Sequence, residues 1–168
     1  MDADYFRYVY NYLCWSRDKV LDAAEGLSEE AYLQNVGLTY QSLRGILTHT
    51  LGGEAIWLSR AAGEPPGPFV REEEVPTLAA LRERWDAEVS RQRRYLASLT
   101  DAAVIESVAF KTRDGTERTL PRWQILTMQT MHTIQHRSEA AEALTMLGHS
   151  PGDMDFVLYV WERDSSEQ

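Results

Sequence analysis

His132 and His136 stand four residues apart in Met131-His132-Thr133-Ile134-Gln135-His136-Arg137. The run from Arg122 to Leu147 around them contains neither Gly nor Pro, so it reads as one helix. On a helix that spacing puts both imidazoles on one face, a turn apart. Neutral imidazole is a common nitrogen ligand for zinc, nickel and iron, and such a pair can grip one ion from a single helix. His49 lies far upstream in another helical stretch. Three histidines from two helices would leave coordination positions open for water or a substrate, as catalytic sites do. The HxxxH pair alone is a weak signal. Thr133 stands where the zincin motif His-Glu-x-x-His has its glutamate, which argues against a zincin peptidase. His49 adds weight, because helical bundles build metal sites from facing helices. Taken singly, His49 also reads as a hydrogen-bonded core histidine. His149, just after Gly148, reads as a surface residue.

The elements that must position these residues follow from apolar spacing. Asp4 to Ala24 is the first helix, with Phe6, Val9, Tyr10, Leu13, Val20 and Leu21 at intervals of three and four and Gly26 as a stop. Ser28 caps a short turn or helix. Thr39 to Ala62 is the second long helix, capped by Thr39 or Ser42, and Gly52-Gly53 in its middle points to close helix approach or room for a ligand. Gly63-Glu64-Pro65-Pro66-Gly67-Pro68 breaks the chain, and Glu72-Glu73-Glu74 extends an exposed loop. Thr77 caps a third helix, Leu78 to about Leu99. Val108 to Leu120 reads as a β-hairpin turning at Asp114-Gly115, a primed turn with φ > 0 at both residues. A lone hairpin is marginal, so it should rest on the helices. Pro121 opens the fourth long helix with Thr119 near its cap, and Gly148 stops it. Asp153 to Trp161 is a short final helix, followed by a disordered tail over about 162–168. With no internal repeat, the expectation is a single all-α domain over 1–168. It is a four-helix bundle with a short β-hairpin insert and a short C-terminal helix. Long connectors at 25–38 and 63–76 free it from simple up-down order.

Composition sets limits. The chain of 168 residues is 43% hydrophobic, enough for one core without disulfides, and Cys14 is its only cysteine. The acidic start shows no signal peptide, and no apolar run reaches the length of a membrane span. A cytoplasmic protein with no membrane partner is expected. The net charge of −9 opposes a general grip on phosphates, so no nucleic acid is expected either. Arg91, Arg93 and Arg94 follow Glu83, Asp86 and Glu88 closely and read as a solvated helix face.

Three segments resemble the DinB/YfiT-like family of metal-dependent enzymes. Tyr12-Leu13-Cys14-Trp15, with Leu21 and Leu27 beyond, is similar to that family's opening helix. Ser42 to Trp57, with His49, Gly53, Glu54 and Trp57 in register, resembles its most specific segment. His132-Thr133-Ile134-Gln135-His136-Arg137, followed by Leu144 and Leu147-Gly148, resembles its third. Ser138 and Glu139 depart from the common Gly-Gln there, and Gln135 stands where a further histidine is frequent.

The resemblance implies a four-helix bundle with metal ligands at His49, His132 and His136, a divalent ion (zinc, nickel or iron), and often a homodimer. It also implies a small-molecule substrate, with transfer of low-molecular-weight thiols as the leading reaction and hydrolysis second. The alternative is a non-catalytic metal- or ligand-binding bundle. Glu139, three residues beyond His136, is the candidate catalytic base; it could instead orient a ligand imidazole or face solvent. Glu54 reads as an inter-helix partner rather than a ligand. Tyr12, Trp15, Trp57 and Trp123 are candidate walls of an apolar pocket.

Overall fold

The computed structural model of the chain describes residues 2–166. Its helices are α1 (Ala3–Ala24), α2 (Glu29–Leu33), α3 (Leu43–Ala62), α4 (Leu78–Ser98), α5 (Asp101–Ile105), α6 (Arg122–Met146) and α7 (Phe156–Ser166). Strands β1 (Ser107–Lys111) and β2 (Glu117–Pro121) form one antiparallel hairpin between α5 and α6. The four long helices α1, α3, α4 and α6 make the expected bundle. Helices α6 and α4 each pack on both α1 and α3, so α1 and α3 are diagonal to one another. The connector from α1 to α3 thus crosses the bundle, whereas the one from α3 to α4 joins neighbours. No helix among the described residues is long and apolar enough to cross a membrane.

Side-chain caps set most helix starts. Asp2 accepts from the Tyr5 amide at 2.8 Å, Ser42 from Gly45 at 3.1 Å and Thr77 from Ala80 at 3.2 Å. Each satisfies an amide that the first turn leaves without a partner. The second long helix starts at Leu43 rather than Thr39. Residues 38–41 form a tight turn in which Gln41 has φ 63°, and the Val36 amide donates to the Gln41 carbonyl at 2.7 Å. Ser42, not Thr39, is the cap. Gly26 has no left-handed φ; its bare Cα makes room for the His149 ring, which is therefore half-buried rather than a surface group.

The hairpin pairs Ser107 with Pro121 through Lys111 with Glu117. Its turn differs from the expected primed one. The Gly115 amide donates to the Thr112 carbonyl at 3.0 Å, and only Gly115 is left-handed, at φ 84°. This is a longer loop with a glycine closing it. The Asp114 carboxylate is free to accept from the Thr112 hydroxyl and from the Thr116 amide. Thr119 does not cap α6, because it is paired with Ala109 in the ladder; Pro121 holds the cap position. Arg122 anchors that corner, donating to the carbonyls of Ala61 and Ala103. As expected, the hairpin rests on α3 and α6.

At the C-terminus the final helix begins at Phe156 instead of Asp153. It continues through Ser166, where a disordered tail was expected; residues 167 and 168 lie outside the described part. Tyr159 explains the docking: it is buried and meets Tyr8, Tyr12 and Trp15 of α1 with ring centroids 5.6–5.8 Å apart.

The core is mostly Leu, Ile and Val, with Trp85 at its centre. One charged network crosses it. Glu54 on α3 is 1% exposed and Arg137 on α6 is 4% exposed. The Glu54 carboxylate accepts from Arg137 at 2.9 Å, Trp85 Nε1 at 2.8 Å and Thr133 Oγ1 at 3.1 Å. Arg137 also donates to the Leu13 carbonyl and to Ser16 Oγ. This pair fixes α3 against α6, with α1 and α4 tied to it, one turn from the histidines.

Candidate metal centre

Helix α3 carries His49 and helix α6 carries His132 and His136. The bundle brings the three rings together. Centroids are 5.1 Å apart for His49–His132, 4.5 Å for His49–His136 and 4.4 Å for His132–His136. One nitrogen from each lies within 4.8 Å of the others. His49 Nε2 and His132 Nε2 are 3.2 Å apart. Nitrogens at about 2.0–2.1 Å from a tetrahedral zinc sit about 3.3–3.4 Å from each other, so the His49–His132 pair is spaced to share one ion.

Two neighbours set ring orientation. His136 Nδ1 is 2.8 Å from Glu139 Oε2, so the ring donates there and presents Nε2 towards the other histidines. Of the three roles open to Glu139, this contact supports orienting the imidazole. Tyr40 stacks on His49 with centroids 3.9 Å apart and planes tilted by 18°, and its hydroxyl is 2.9 Å from His49 Nε2. His132 Nδ1 is buried with no hydrogen-bond partner among the described residues. An orphaned ring nitrogen costs on the order of 1–3 kcal/mol.

Electrostatics point the same way. Burial, and the neighbouring His136, push the pKa of His49 down to about 4. The same causes, with His49 added, push His132 down to about 4. Both are neutral at physiological pH, the state a ligand needs.

Gly53 explains part of the double glycine. A Cβ there would lie 2.2 Å from His132 Cε1, so only glycine lets that ring lie against α3. Beside His49 and His132 opens a pocket of about 440 Å³, walled by Ile56, Trp57 and Phe69 and reaching Arg60 and the hairpin tip. Trp57 therefore meets the expectation of a pocket wall. Tyr12 and Trp15 do not: they pack on α7, and Tyr12 donates to the Met154 carbonyl at 3.0 Å. Trp123 packs against the core. Tyr40, Arg60 and Phe69 were not anticipated. Tyr40 and Phe69 come from loops, where no periodic pattern marks a residue. Arg60 shares a helix face with His49 and Gly53 at intervals of four and seven, which was a readable signal.

The sequence model of the DinB family matches residues 1–167, essentially the whole chain. No curated protein matches it.

Proposed function

Since the chain belongs to the DinB family, we propose that it is a metal-dependent enzyme acting on a small molecule through His49, His132 and His136. The observation that carries this reading is the convergence of three imidazoles beside an open pocket. A structural site closes its coordination sphere, whereas this one has solvent and apolar wall on one side. When bound, a divalent ion supplies Lewis acidity that makes a thiol or a water nucleophilic near neutral pH. Thiol transfer to an electrophile is the leading reaction and hydrolysis the second. Glu139 holds the His136 ring and fixes the proton on its Nδ1. The Tyr40 hydroxyl, at the edge of the cluster, is placed to donate a hydrogen bond to a group bound there. Ile56, Trp57 and Phe69 exclude water from the substrate's apolar part. A homodimer belongs to the same reading, and the exposed Met128, Met131 and Ile134 on α6 support it.

The test is elemental analysis of untagged protein beside a His136→Ala variant, followed by a turnover screen with thiols and esters. About one zinc, nickel or iron per chain, lost in the variant, with turnover by the loaded protein, is the expected result. No metal in either sample after incubation with excess ions sinks the proposal. One observation favours the non-catalytic alternative: Glu139, the candidate base, is engaged by His136. That alternative predicts stoichiometric metal with no turnover of any thiol or ester.

A further inference from the structure

The protein carries a net charge of −9, yet the pocket beside the histidines is lined by Arg60, Lys111 and Arg113 and by no carboxylate. Arg60 is the unusual one. Its guanidinium lies 4.5 Å from the centroid of the Trp57 ring and 5.2 Å from that of Phe110. Its Nε is buried without a hydrogen-bond partner, and among the described residues no carboxylate pairs with it. Arg17, Arg82, Arg91, Arg122 and Arg137, also half-buried or buried, each have an acidic partner. Aromatic faces hold a cation in place but leave its donors free. A planar guanidinium with free donors at the wall of a pocket is suited to a carboxylate.

Arg60 lies about three turns beyond His49 on α3, roughly 16 Å along the helix axis. Between them the wall is apolar: Ile56, Trp57 and Phe69. The volume of about 440 Å³ suits a small organic molecule. We propose that this pocket binds a small organic carboxylate, its anionic end on Arg60 and its apolar body along Trp57 and Phe69, with its other end at the histidine cluster. Lys111 and Arg113, on the hairpin tip, add positive potential at the mouth. The assignment of the reacting end rests on the metal-enzyme reading above; the anion subsite does not.

The test is isothermal titration of the full chain, as purified, with 4-phenylbutyrate and with its neutral amide, the metal content of the same sample being measured. The acid is expected to bind at least tenfold more tightly than the amide, less so at high salt. Arg60→Met keeps an apolar stem over Trp57 and should erase the preference, thermal unfolding confirming the fold. The double variant Lys111→Gln, Arg113→Gln, on the exposed tip, should reduce the preference severalfold and serves if Arg60→Met fails to fold. Equal binding of acid and amide, or no binding of either, overturns the proposal. So does a preference that survives Arg60→Met, since the carboxylate would then be at the histidines. Metal in the sample with no acid preference sinks the anion subsite alone. Acid preference in a chain that takes up no metal keeps the subsite and sinks the metal-enzyme reading.

Discussion

Single atoms decide how the histidine cluster behaves. Glu139→Gln keeps the shape of the side chain but weakens the charge-assisted bond to His136 Nδ1. Loss of such an orienting contact costs about 10–100-fold in metal affinity, so competitive titration against a zinc chelator should show a drop of that order. Gly53→Ala should act more severely, because its Cβ would lie 2.2 Å from His132 Cε1. Helix propensity improves by about 1 kcal/mol, so the variant should fold while losing stoichiometric metal. Retention of full metal content would mean that His132 is not a ligand. The depressed pKa values of His49 and His132, both about 4, give the metal-free protein a pH dependence. In the unfolded chain each imidazole takes a proton near its ordinary value of 6.5. Between that value and about 4 the unfolded state binds protons that the folded state refuses. Stability should therefore be flat above about 6.5 and fall progressively towards about 4. Melting temperatures of chelator-treated protein across that range check it; a His49→Phe, His132→Phe variant should lose most of the slope.

Helices α3 and α6 carry the three histidines, and the Glu54–Arg137 pair locks them together. Breaking a buried pair by removing one member leaves an uncompensated charge, at a cost of about 3–5 kcal/mol. Glu54→Ala should therefore destabilise by that amount in denaturant unfolding, and adding Arg137→Leu should recover part of it. Equal destabilisation by single and double variants would show that Glu54 matters through Trp85 and Thr133 instead. The sequence made these elements legible to different depths. The long helices were visible because Leu, Ile and Val recur at helical spacing and Ser28 and Thr77 stand before the periodic runs as caps. The three histidines and their two helices were visible for the same reason. The start of α3 was misjudged because Thr39-Tyr40-Gln41 has no helix breaker. Only the tertiary turn, with Gln41 left-handed and the Val36 amide on its carbonyl, stops the helix there. Tyr40 was invisible with it, since nothing local says that a loop tyrosine will stack on His49. Tyr12 and Trp15 looked available to a pocket because their partner, Tyr159, sits at the far end of the chain.

At the scale of the molecule, the bundle exposes an apolar strip on the outer side of α6, where Met128 is 49% and Met131 is 66% exposed. A homodimer formed through this strip predicts that Met131→Glu shifts the mass seen in light scattering from two chains to one while the variant still melts cooperatively. An unchanged mass would remove α6 from any such interface. The diagonal placement of α1 and α3 has a consequence for how the protein is born. These two helices meet through α4 and α6, and their α6 side stays open until that last long helix is made. A ribosome adds residues at about 5–20 per second, so α1 and α3 emerge seconds before α6 and must wait with the faces it covers bare. The three histidines span that same interval, since His49 is translated long before His132 and His136. A nascent chain stalled before Arg122 should hold a chaperone and no zinc. Loading with metal would then be an event of the released, fully folded protein, and the supply of ions at that moment, more than any preference of three imidazoles, would decide which metal the cell's copies carry.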